Sequence, residues 1–192
     1  MWVRVSFDSE PDPILRRVEE ALRLIKTYDR IRYDRLSRDL KGVWIRLLPG
    51  ALGTFNAALC ACELDRRFIL DDDSPPELIA AVIVHEATHA RILHCGIESN
   101  EKLRPRVETI CLHRELAFAA RIPNSEKVRD FAERTLPLAS TEEFWTDEAY
   151  EERFQNESAK VLREFGVPDR LIRFISMLRK SYQYLVRSRK RV

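Results

Sequence analysis

The stretch Ser74-Pro75-Pro76-Glu77-Leu78-Ile79-Ala80-Ala81-Val82-Ile83-Val84-His85-Glu86-Ala87-Thr88-His89-Ala90-Arg91-Ile92-Leu93 decides how this chain is organised. Ser74 and Glu77 form a capping-box pattern with prolines in the first turn, where a missing N–H costs nothing. The spacing predicts a helix beginning near residue 75, with Gly96 as its C-terminal stop. At about 100° per residue, His85 and His89 share a stripe with Leu78, Val82, Ile92 and Leu93. Ile79, Ile83, Ala80, Val84 and Ala87 make the opposite side apolar too, so the helix is buried on most sides. Two imidazoles and a carboxylate buried there are costly without partners, and a metal ion supplies them. The pentad His85-Glu86-Ala87-Thr88-His89 has the HExxH spacing, which turns two imidazoles toward one point and sets a glutamate beside it.

Working outward, Pro13–Tyr28 has helical periodicity in Ile14, Leu15, Val18, Ala21, Leu22 and Ile25. The charged stretch 29–42 reads as loop. Val43–Leu48 reads as a strand ending at Pro49-Gly50, and 55–62 as a second strand whose alanines also permit helix. Arg67–Leu70 reads as a third strand, closed by Asp71-Asp72-Asp73. After Gly96 a polar loop leads to a helix at about 104–122 and a shorter one at 125–136. Ser140-Thr141-Glu142-Glu143 is a capping box for a long helix that Gly166 and Pro168 end. A last helix spans 169 to about 187, with Leu171, Ile172, Phe174, Ile175, Leu178, Tyr182 and Leu185 inward. This order predicts an α+β fold, a small, mostly antiparallel sheet packed on the pentad helix and the helix after it, with further C-terminal helices. One domain is expected over 1–192, with a metal-site core in 1–122 and a helical extension in 123–192.

With 192 residues, 45% of them apolar, the chain can bury a substantial core. No run approaches a membrane span, and Met1-Trp2-Val3-Arg4 begins no export signal, so a cytoplasmic protein is expected. Cys60 and Cys62, at i and i+2, point to one face of a strand. They read as small buried hydrophobes, and with Cys95 and Cys111 the four cysteines are too few for a disulfide scaffold and lack the CxxC pairs of a separate cysteine zinc site. The 33 basic and 31 acidic residues nearly balance. The basic tail Arg187-Ser188-Arg189-Lys190-Arg191, extended by Arg179-Lys180, can neutralise phosphates but equally complements a helix dipole, and nucleic acid is not the expected partner.

A catalytic zinc needs a third protein ligand and an open position. A histidine six residues past His89, with glycine three past it, would supply one, but those positions hold Cys95 and Ile92. On a continuing helix Cys95 lies about 240° from His89 and His94 about 140°, so neither shares its metal. Glu98 and Glu101 fall in the connecting loop. Glu108 and Glu115, seven apart on one face of the next helix, are both well placed, and that face also carries Cys111.

These residues resemble the gluzincins, the thermolysin-like branch of the zinc peptidases (zincins). In that family the third ligand is a glutamate about twenty residues past the pentad, on the next helix. Glu108 is nineteen positions past His89 and is the closer match, with Glu115 in reserve. The resemblance covers roughly 43–122, and its specific part is His85, Glu86, His89 and Glu108. It departs at Leu112, where thermolysin-like enzymes carry an aspartate that hydrogen-bonds a ligand histidine.

The resemblance implies a minimal zincin fold and a metallopeptidase acting on a peptide or protein substrate. His85, His89 and Glu108 would hold Zn²⁺ with a water, and Glu86 would serve as general base. The hairpin within 43–70 would pair with an extended peptide. No residue is assigned to the oxyanion: His113 lies about 140° from Glu108, and Tyr150, Tyr182 and Tyr184 sit on later helices. The alternative expectation is a non-catalytic zinc-binding or helical protein-interaction module.

Overall fold

The computed structural model describes residues 2–4, 13–98 and 100–189, with side chains over 13–98 and 100–179. The basic tail therefore lies largely outside the described side chains, as do Tyr182, Tyr184 and Leu185. The chain divides into two compact units, Met1–Thr146 and Asp147–Val192.

The first unit is α+β. Strand β1 (Trp2–Arg4) is followed by α1 (Pro13–Tyr28), α2 (Arg30–Asp39), β2 (Gly42–Arg46), β3 (Gly53–Asn56), β4 (Ala61–Asp65) and the short α3 (Arg66–Leu70). The pentad helix α4 (Pro76–His94), α5 (Arg104–Ala119) and α6 (Glu126–Ala139) complete it, with a 3₁₀ turn at Glu142–Trp145. The sheet order is β1-β2-β4-β3. β1 and β4 run parallel to β2, and only β3 runs antiparallel, against β4. The sheet is therefore mixed and not mostly antiparallel. Parallel neighbours need a crossover, and α1 with α2 supplies the one between β1 and β2.

Val43, Cys62 and Leu64 of the sheet join Ile14, Val18, Ala21 and Ile25 of α1 and Ile79, Ala80 and Ile83 of α4 in the main core. Four local expectations are corrected. Residues 30–39 are helix, because the Asp29 carboxylate accepts the Arg32 N–H at 3.1 Å and Leu36 is buried beneath the charged surface. Residues 66–70 are helix for the same reason, Asp65 accepting the Arg67 N–H at 2.7 Å. Residues 55–62 span a hairpin, with Cys60 at φ 48° in its turn, so Cys60 and Cys62 do not share a strand face. The Ser140 capping box does not form; its hydroxyl donates to Pro137 O at 2.8 Å, and α7 begins at Asp147.

The division between units also falls later than residue 122, because Ala132 and Ala139 of α6 pack with Leu112 of α5. The second unit contains α7 (Asp147–Glu164) and α8 (Asp169–Arg189). Gly166, at φ 74°, ends α7 in the left-handed conformation that glycine tolerates. Of the residues expected inward on α8, Ile172 is buried, while Leu171, Phe174, Ile175 and Leu178 are exposed. No helix among the described residues is long and apolar enough to cross a membrane.

Candidate metal centre

α4 starts at Pro76, as the sequence predicts, although no side chain caps it; the Pro75 carbonyl accepts from the Leu78 and Ile79 N–H groups. It stops in a Schellman motif: Gly96 N–H donates to Leu93 O at 2.8 Å and Ile97 N–H to Ile92 O at 3.2 Å, with Gly96 at φ 79°. Asn100 then turns the chain, its side chain accepting the Leu103 N–H at 3.1 Å, and α5 returns along α4. Glu108, Cys111 and Glu115, spaced three and four apart, lie on one face of α5.

These two helices bring the predicted residues together. The rings of His85 and His89 lie one turn apart, with centroids separated by 5.0 Å. His85 Nε2 is 3.2 Å from Glu108 Oε2, and His89 Nε2 is 3.6 Å from Glu108 Oε1. Both imidazoles thus turn the same nitrogen toward one carboxylate. The other nitrogen of His85, Nδ1, is hydrogen-bonded to Glu115 Oε1. Glu115, 1% exposed, is thus neither a solvated flank residue nor gathered at the Nε2 side; it holds the far side of the His85 ring. The carboxylate that orients a histidine, missing at Leu112, is supplied three residues later.

The excluded candidates lie elsewhere. His94 faces Asp39 (Nδ1 to Oδ1, 3.6 Å), Cys95 is the exposed C-cap of α4, and His113 is exposed. Tyr150 belongs to the second unit and is exposed.

Charge at the centre follows from burial and proximity. Burial opposes a charged His85 ring, but its bonds to Glu108 and Glu115 prevail and hold its pKa well above the ordinary value. Burial likewise favours a neutral Glu108, yet the His85 and His89 contacts bring it down to about 2. Glu86, only 6% exposed, is pushed up by burial against the opposing pull of the two histidines. The Cys111 thiol is also pushed up, by burial first and then by the nearby Glu108.

The donor set can be tested for fit to a metal. His85, His89 and Cys111 offer ligand atoms within 4.8 Å of one another, a group that can hold a metal ion. Glu108 also lies against both histidines, through their Nε2 atoms. Imidazole, carboxylate and thiol donors suit zinc-type ions and not the oxygen-only preference of calcium or magnesium. The donors fit. The sequence places Cys111 on the same face as Glu108 and Glu115 without marking it as a donor; its position one turn past Glu108 is the available signal.

The sheet edge completes the surroundings. β3 is an edge strand, and Asp65 N–H donates to Leu52 O at 2.9 Å. Antiparallel pairs alternate, so from the register Gly53↔Leu64 the backbone groups of Gly53 and Phe55 face away from β4, toward an edge that no strand among the described residues covers. Gly53 crosses directly over α4: a Cβ there would lie 2.7 Å from Val82 Cγ1 and 3.3 Å from Glu86 Oε1. Only glycine lets the edge come this close to Glu86. No protein-family profile, no curated protein and no solved structure matches the chain.

Proposed function

We propose that this chain is a zinc-dependent metallopeptidase in which His85, His89 and Glu108 hold the ion and Glu86 moves the proton. The observation that carries the reading is the convergence of two histidine Nε2 atoms on the Glu108 carboxylate, with Glu86 buried alongside and a free sheet edge above it. When bound, the ion supplies Lewis-acid chemistry, acidifying a water and polarising a peptide carbonyl.

The protein's own groups do the rest. Glu115 fixes the His85 ring by accepting from Nδ1–H, which leaves Nε2 as the ligand nitrogen. Glu86 takes a proton from the attacking water and returns it to the leaving amine. Its burial-raised pKa brings it closer to working pH, which suits both transfers. An extended substrate segment pairs with the outward backbone groups of Gly53 and Phe55, adding a strand to the sheet. The absence of a side chain at Gly53 keeps that segment near Glu86.

Glu86→Gln tests the assignment, because it keeps the side-chain volume and removes the base. Expected is stoichiometric zinc uptake with peptide cleavage lowered by about 10²–10⁴-fold, the usual contribution of a general base. Undiminished turnover by the variant overturns the assignment.

A further inference from the structure

Resting on the metallopeptidase reading, we propose that Cys111 is a fourth metal donor, whose sulfur occupies in the resting protein the position a catalytic water needs. The centre is then latent, and cleavage requires the sulfur to leave. Cys111 is fully buried, forms no disulfide, and offers its sulfur within 4.8 Å of the ligand atoms of both histidines. It is flanked on its own helix face by two residues that already contact His85, namely Glu108 one turn before and Glu115 one turn after. The α5 backbone that delivers the carboxylate ligand therefore delivers the thiol to the same two histidines. Sulfur is a strong zinc ligand, and two imidazoles, a carboxylate and a thiolate make a complete tetrahedral set.

Closing the centre forms the sulfur–metal bond and releases the S–H proton to solvent. Opening it reverses both changes, with a water taking the vacated position, so no oxidant or reductant is needed. A centre with three donors would be open from the start; one with four has a built-in off state.

X-ray absorption at the zinc edge, on the full chain loaded with one equivalent of zinc, tests this directly. Expected is one sulfur neighbour at about 2.3 Å beside nitrogen and oxygen neighbours at about 2.0–2.2 Å, with the sulfur lost in Cys111→Ser. A shell of nitrogen and oxygen alone in the unsubstituted chain, or sulfur persisting in Cys111→Ser, overturns the proposal. Peptide cleavage by the same two proteins separates the two readings. Cys111→Ser should cleave about tenfold faster, the release expected from a closed form holding roughly nine-tenths of the molecules. Sulfur bound with no cleavage by either chain removes the peptidase reading and leaves the four-donor centre standing. Zinc-dependent cleavage at equal rates with no sulfur bound does the opposite.

Discussion

Helices α4 and α8 are both rich in apolar residues, yet they end in opposite environments. Ile79, Ile83 and Val84 of α4 are essentially inaccessible to solvent, and α4 also buries Glu86. α8 buries Ile172 and leaves Leu171, Phe174, Ile175 and Leu178 exposed. Periodicity reports that a helix has an apolar side; it does not report what covers that side. What sets α4 apart is charged chemistry inside a nearly continuous apolar run. Burying Glu86 and two histidines requires compensation, and α5 provides it through Glu108 and Glu115.

The contrast can be challenged by truncating each helix at a matched point. Ile83→Ala, at a fully buried position, should cost about 2–5 kcal/mol in chemical denaturation, and a cost below about 1 kcal/mol would mean that α4 is not the packed centre of the first unit. Between the extremes lies Glu115→Gln, which keeps an acceptor for His85 Nδ1 but removes the charge. Zinc affinity measured by chelator competition should fall about tenfold, the low end for residues that orient a ligand. Complete loss of zinc would make Glu115 a ligand, and no change would show that it does not tune His85. At the small end, Phe174→Ala on α8, 51% exposed, should change stability by no more than about 0.5 kcal/mol. A larger loss would show that this face is covered in solution.

The same contrast explains what is legible in the sequence. The α4 boundaries were legible because Pro75, Pro76 and Gly96 punctuate the helix, whereas the residues alone left Glu108 and Glu115 as equals on one face of the next helix, and only the gluzincin resemblance favoured Glu108. Elements 30–39 and 66–70 were not, because each is short and its helical state is decided by one aspartate, Asp29 or Asp65, closing the first turn. Strand direction was also hidden: it depends on α1 and α2 crossing between β1 and β2, which the residues of a strand do not encode. Glu115 was visible as a reserve ligand, and Cys111 only as a position on the same face. Their surroundings emerge once α5 lies against α4, when one reaches His85 Nδ1 and the other comes within 4.8 Å of a ring nitrogen of each histidine.

The most direct test of the centre is the zinc affinity of Glu108→Ala, compared with Glu115→Gln under identical chelator competition. If α4 and α5 hold the ion through His85, His89 and Glu108, the Glu108 variant should lose more than the roughly tenfold expected for Glu115→Gln, because a ligand has gone and not merely its neighbour. Unchanged zinc affinity in Glu108→Ala would contradict the three-ligand centre.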